Sequence, residues 1–246
     1  MPKKKTVKKR IIKKTDVETW LEREKLEPHV REALENASRY FGRGDALTVN
    51  TLEAVYGEES SFGALLRGRG IDGAAGHFHI EKKTAVHYGL IITKEDDPRF
   101  DIDYASITAA RYLTDLHRYF GKPTKLMEDR VTIPIADISE RKKFVLAAYN
   151  MGQSYIAYAQ QLAQEAGKDP TNWEDVKWFL EAAGVKPRTA SKGRRYVDDI
   201  LKNEIEFAQK STADKKVKNK RSGKSKGRCT QGRWITKDHH HILICD

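Results

Sequence analysis

Between residues 15 and 210 the chain is written in helical period, and that limits its fold more than any other property. Thr15 followed three residues later by Glu18 makes a capping box, the hydroxyl meeting a free backbone N–H and the carboxylate reaching back to the cap. Trp20 and Leu21 open an apolar stripe. Pro28 restarts the chain, and Val30, Leu34, Ala37 and Phe41 recur at helical spacing until Gly42 and Gly44. Asn50 with Glu53 is a second capping signal, near the start of a helix holding Leu52, Val55 and Tyr56. Asp101 or Asp103 caps a long amphipathic helix through Ala105, Ala109, Leu113, Leu116 and Phe120, ended by Gly121. Ser139 introduces another, apolar at Phe144, Val145, Ala148 and Tyr149 and stopped near Gly152. Segments 154–166, 173–183 and 194–209 read as further helices, two of them closing at Gly167 and Gly184. Strand-like alternation is confined to 78–80, 131–135, 234–235 and 242–244, the last two forming a C-terminal β-hairpin that turns near 237–239. The expected class is mainly α, with at most a very small sheet.

The net charge of +11 is unevenly spread. Residues 1–14 carry eight Lys/Arg and no acid, and 211–233 carry nine against Asp214 alone. The stretch 15–210 holds 28 basic and 32 acidic residues. The chain therefore reads as a nearly neutral body with cationic, disordered tails, whose natural partner is a polyanion. The expected organisation is a basic N-terminal tail (1–14), N-terminal helices (15–44), a main domain (45–210), a basic linker (211–233) and the hairpin (234–246). No apolar run approaches the ~18 residues needed to span a bilayer, and no apolar stretch follows the basic start. Neither a transmembrane segment nor a Sec signal is expected. Both cysteines, Cys229 and Cys245, lie in the tail, so thiol catalysis in the body is excluded. His239, His240 and His241 lie between them, but consecutive residues on an extended chain alternate faces and no Cys-x-x-Cys spacing accompanies them. No metal and no cofactor are expected.

The segment Tyr56-Gly57-Glu58-Glu59-Ser60-Ser61-Phe62-Gly63 holds the candidate chemistry, with Glu59 either a general acid or a structural carboxylate paired with an arginine or a backbone donor. On a helix Glu59 shares the apolar face of Leu52, Val55 and Tyr56, whereas Glu58 turns ~100° away, toward Thr51 and Ala54. A carboxyl pressed against apolar neighbours is disfavoured as an anion. Its raised pKa suits a general acid working near neutrality.

Three further segments give this octapeptide a context. Glu59-Ser60-Ser61-Phe62, Gly73-Ala74-Ala75-Gly76-His77-Phe78-His79-Ile80 and Ala147-Ala148-Tyr149-Asn150-Met151-Gly152 follow in order, with Ala110-Arg111-Tyr112-Leu113 between the last two. Together they resemble the E-S-x-F, G-A-x-G-L-M-Q-I and A-A-Y-N-x-G motifs and the Y-L helix of soluble Slt-type lytic transglycosylases, over roughly residues 45–200. The resemblance implies a lysozyme-like fold for 45–210 and cleavage of the glycan strands of peptidoglycan. It also implies that Glu59 acts as the single catalytic acid/base. In that chemistry the muramic acid's own C6 hydroxyl attacks, giving a 1,6-anhydro product. The nucleophile is tethered to the reacting ring, so no second carboxylate is needed to hold it or a water. By the same carry-over Ser60, Phe78, His79 and Asn150 contact substrate, and Tyr149 sits over Glu59 and helps keep it protonated.

His79 departs from the family's Gln, and His77 and Phe78 replace its Leu-Met pair. A histidine at position 79 still offers hydrogen bonds to a sugar and adds a pH response near ~6.5. A goose-type lysozyme is the alternative enzyme; it needs a water-positioning acid, for which Asp72, Asp96, Asp97 and Asp101 are the candidates. A virion or secretion-machine component using the fold as a scaffold is the alternative outside enzymes. Without a Sec signal, the expected route to the cell wall is a virion, a phage holin or a dedicated secretion machine.

Overall fold

The computed structural model describes residues 15–66, 72–224, 232–237 and 240–245. Nine α-helices and two small hairpins make up the regular structure among them. In chain order these are α1 (Asp16–Leu26), α2 (Pro28–Ala37), α3 (Val49–Ser60), α4 (Lys82–His87) and α5 (Ile102–Phe120), then β1 (Lys125–Met127) and β2 (Arg130–Val131). There follow α6 (Ile138–Met151), α7 (Gln153–Glu165), α8 (Trp173–Val176), α9 (Pro187–Lys224), β3 (Gly232–Lys237) and β4 (His240–Cys245). The protein is mainly α with very little sheet. Among the described residues no helix is long and apolar enough to cross a membrane.

Several helix ends lie where their side chains place them. The Thr15–Glu18 capping box closes with bonds of 3.0 and 3.2 Å. Asp101 caps α5 by accepting from the amides of Asp103 and Tyr104, and all five apolar residues expected on its inner face are buried. Other ends differ. The cap of α3 is Thr48 with Thr51, not Asn50 with Glu53. Glu53 is instead drawn into the core, where Arg31 of α2 meets it. Asp137 rather than Ser139 caps α6, an anionic side chain suiting the positive end of the helix better than a hydroxyl. After α2 the backbone tightens into a 3-10 turn at Ser38–Tyr40, so Phe41 lies beyond the helix.

The strand expected at 78–80 is a tight turn closed by one bridge, Ala75 to Ile80. Gly76 and His79 have φ of 76° and 44°, which no strand accommodates. Of 131–135 only Val131 is in a strand, and β2 pairs with β1 inside a segment that offered no pattern. The helix expected at 173–183 divides into α8 and a 3-10 turn, Lys177–Phe179. Helix α9 runs past residue 210 into the stretch expected as a linker, because 211–224 is rich in lysine and holds no proline.

Residues 1–207 and 208–246 form two compact units. In the second, β3 and β4 pair antiparallel from Gly232↔Cys245 to Lys237↔His240. In the first, α3 lies at the centre, with every residue from 51 to 57 buried. A helix enclosed on all sides must present small groups where neighbours cross it. Trp20 of α1 lies so close to Gly57 that a Cβ there would sit 2.4 Å from the indole. Helix α5, with Leu113 and Leu116, and α6, with Phe144 and Val145, belong to the same core. The N-terminal helices contribute Val17, Trp20, Val30 and Leu34 to it as well.

Candidate active site

Glu59 stands on the last turn of α3, and the way that helix ends fixes it. Ser61, Phe62 and Gly63 all have positive φ (50°, 57° and 77°), so the chain reverses at once. Left-handed backbone is costly outside glycine and persists only where packing enforces it. Here Phe62 is buried among Trp20, Tyr56 and Phe207, with Tyr56 centred 4.6 Å away. Ser60 completes the clamp. Its hydroxyl donates to the Tyr56 carbonyl at 3.2 Å and accepts from the Gly63 amide at 3.1 Å.

The glycine-rich segment is held by a buried arginine. Arg99 is fully enclosed. Its guanidinium grips Asp97 and donates to the carbonyls of Gly73 and Ile80. At Gly76 a Cβ would lie 1.8 Å from the Arg99 carbonyl oxygen, so only glycine lets the two backbones approach. Inside this loop His77 bonds to the Tyr56 hydroxyl at 2.9 Å and to the Phe100 carbonyl at 3.0 Å, and burial holds its pKa below the usual imidazole value. The left-handed backbone of His79 then brings its Nδ1 to 3.4 Å from Glu59 Oε2.

Two tyrosines close the site. Tyr196 of α9 donates its hydroxyl to Glu59 Oε1 at 2.8 Å. Tyr149 of α6 donates to the Phe78 carbonyl at 3.0 Å and packs against the ring of Tyr112. Burial first, and then the charge of Glu59, push both phenols well above their usual pKa, so they remain hydroxyl donors. The Glu59 side chain is 13% exposed, and its two oxygens are met by a hydroxyl and an imidazole rather than by the apolar face alone.

Of the residues singled out from sequence, Glu59, His79 and Tyr149 come together, and exposed Asn150 follows Tyr149 on α6. Ser60 and Phe78, expected to contact substrate, are wholly buried in this structure; Ser60 ends the helix and Phe78 packs on Tyr56. Glu58, turned away from Glu59 as expected, is half-buried, and Asn203 of α9 donates to its Oε1 at 2.9 Å. Burial, with Asp199 nearby, raises its pKa to about 7. Tyr196 escaped the sequence reading. It is 137 positions from Glu59, and an apolar stripe containing one tyrosine carries no mark of what its hydroxyl meets. Residues 1–14, Cys229 and His239 lie outside the described residues, as does part of the basic stretch 211–233.

The family model "Transglycosylase SLT domain" matches residues 39–172, more than half of the chain. The chain belongs to the SLT transglycosylase family. The matched stretch contains Glu59, the loop from Gly73 to Ile80, and Tyr149; Tyr196 of this SLT chain lies beyond it. Similar proteins include membrane-bound lytic murein transglycosylase F of Marinobacter nauticus, 33% identical over 114 residues, covering 46% of this chain and 19% of the relative. Membrane-bound lytic murein transglycosylase F 2 of Alkalilimnicola ehrlichii is 28% identical over 158 residues, covering 63% and 31%. The transglycosylase F of Salmonella typhi is 32% identical over 142 residues, covering 54% and 26%. The SLT chain thus spans less than a third of the length of each.

Proposed function

We propose that this SLT chain is a peptidoglycan lytic transglycosylase. It cleaves the β-1,4 bond between N-acetylmuramic acid and N-acetylglucosamine and leaves a 1,6-anhydro end. One observation carries the reading: Glu59 is held between Tyr196 and His79, while three of the four aspartates considered for positioning a hydrolytic water are committed elsewhere. Asp72 is 84% exposed and paired with Lys82, Asp97 is gripped by Arg99, and Asp101 caps α5. Asp96 is exposed on its loop. A hydrolase working through two carboxylates needs its second acid across the scissile bond. None of these four stands as such a partner to Glu59 among the described residues, and the reading therefore takes the nucleophile from the sugar.

Glu59 gives its proton to the leaving oxygen as the C1–O4 bond breaks. The resulting carboxylate then takes the proton of the C6 hydroxyl as O6 bonds to C1, which restores the acid. Between the two steps the Tyr196 hydroxyl stabilises the carboxylate by a charge-assisted bond. Tyr149 anchors the glycine-rich loop through Phe78, and the reading assigns exposed Asn150, next on α6, to the glycan. Glu59→Gln should keep the fold and lose cleavage of purified sacculi by several orders of magnitude, since the amide N–H protons are too weakly acidic to transfer. Mass spectrometry of the wild-type digest tests the reaction. Anhydromuropeptides are expected; reducing ends, one water heavier, would make the enzyme a hydrolase.

A further inference from the structure

The hairpin of β1 and β2 carries an arginine unlike the protein's other stacked arginines. Ile133, just beyond β2, is clamped to α7 through both halves of its backbone: its amide donates to Gln160 Oε1 at 3.2 Å, and its carbonyl accepts from Gln160 Nε2 at 2.9 Å. Arg130 is thereby laid beside Tyr155 and Tyr158, which at i and i+3 share one face of α7. Its guanidinium carbon sits 5.5 Å from the centre of the Tyr155 ring and 5.1 Å from that of Tyr158. Elsewhere a stacked arginine also has a close polar partner. Arg111 lies over Tyr88 and donates to the Tyr88 carbonyl at 3.1 Å, Arg118 lies over Tyr119 and meets Asp115 at 3.0 Å, and Arg194 lies over Trp178 and donates to the Lys177 carbonyl at 3.3 Å. Arg130 lacks one. Its Nε is buried without a hydrogen-bond partner among the described residues, and exposed Asp129 stands 3.9 Å from that nitrogen, beyond hydrogen-bonding distance.

We infer that Arg130, flanked by Tyr155 and Tyr158, binds a carboxylate of the peptide stem that muramic acid carries. The inference rests on peptidoglycan being the substrate, and extends that reading from the glycan to its peptide. Rings stacked on a guanidinium cover its faces and leave its edge, where the N–H groups are spaced to meet both oxygens of a carboxylate. The Arg130 side chain is 20% exposed, so this edge is partly shielded from water and a bond made there is stronger than on an open surface. Half-buried donors left unmet are costly, and a substrate carboxylate satisfies them.

The position suits a group that hangs beside the reacting sugars. Gly152, between α6 and α7, lies against the Tyr155 ring, where an added Cβ would come 3.6 Å from Cδ2. Exposed Asn150 is two residues earlier on the chain. Tyr112, stacked on Tyr149, donates its hydroxyl to Gln153 at 3.0 Å, on the other side of Gly152. The arginine and the reacting centre thus border the same junction of α6 with α7. A neutral sugar makes no use of a cation there, whereas a peptide stem brings carboxylates.

The test measures the affinity of the Glu59→Gln protein, which leaves the polymer uncut, for soluble glycan strands freed of phosphate polymers and acetylated on their stem amines. One preparation keeps its stem carboxylates; in the other they are converted to methylamides. Amidation should weaken binding. In Arg130→Gln, made in the same background, the ratio of the two affinities should shrink about tenfold, the strength of one bond to a charged group. Lys168→Gln, which removes an exposed charge elsewhere, should leave the ratio unchanged. A ratio that does not depend on Arg130, or that falls equally in Lys168→Gln, overturns the inference, while cleavage of sacculi by the wild type still upholds the reaction. Absence of binding to either preparation, together with absence of wild-type cleavage, overturns the proposed function and the inference with it. If thermal melting shows that Arg130→Gln does not fold, the NMR signal of the Arg130 Nε–H decides. It should move on addition of the carboxylate strands and stay in place with the amidated ones; equal responses overturn the inference.

Discussion

Glu53 should make this protein less stable as the pH rises, and replacing it with glutamine should remove that dependence. Its side chain is 1% exposed on the central helix. One oxygen meets Arg31 and the other, Oε2, has no hydrogen-bond partner. Burial dominates over the attraction of Arg31, and the pKa is raised to about 8. Arg31 is itself shifted upward by its acidic neighbours, but arginine stays charged throughout the range that matters, so Glu53 governs the pH response. The sign follows from proton binding. An unfolded glutamate releases its proton near pH 4.5, whereas the folded one keeps it to about 8. The folded state is therefore favoured fully below pH 4.5, and the advantage is lost as the pH climbs toward 8. Between pH 5 and 9 the loss is about 4 kcal/mol, from 1.36 kcal/mol per unit over the interval between the two pKa values. For a unit of this size that lowers Tm by roughly 8–16 °C. Thermal or urea unfolding of the wild type and Glu53→Gln, measured in parallel from pH 5 to 9, reads Glu53 together with its coupled neighbour Glu24, whose pKa burial also raises. The gap between the proteins should close or reverse toward alkaline pH. A constant gap would show that the carboxylate is ionised and satisfied, and the reasoning would fail.

Other predictions concern the active site and the helix that carries it. Tyr196→Phe should lower kcat on sacculi by about 10- to 100-fold, the value of one bond to a charged group, with little change in melting temperature; undiminished activity would remove Tyr196 from the mechanism. Glu58→Gln should retain cleavage, because its carboxyl faces Asn203 rather than the bond to be cut, and a loss approaching that of Glu59→Gln would reverse the two roles. Gly57→Ala should cost about 1–3 kcal/mol by driving a methyl into Trp20, measurable as a lower urea midpoint, and an unchanged midpoint would mean that α1 yields freely.

What the amino-acid order settled by itself was local. Capping chemistry acts over three or four residues, so Thr15 with Glu18 and Asp101 before α5 were legible without knowing what the helices pack against. The apolar period of α5 was legible for the same reason, and Glu59 stood out because its motif is contiguous. The tertiary structure decided everything that depends on which helix covers which. Glu58 read only as turned away from Glu59 until α9 supplied Asn203, and Glu53 looked like a cap until Arg31 claimed it. Tyr196 gained meaning only at 2.8 Å from a carboxylate 137 residues away. The turn at residues 78–80 resembled a strand because alternation records side-chain polarity and is blind to the sign of φ. Helix ends are written in nearest-neighbour hydrogen bonds. The state of a buried proton depends on distance, dielectric and partners that only the folded chain assembles.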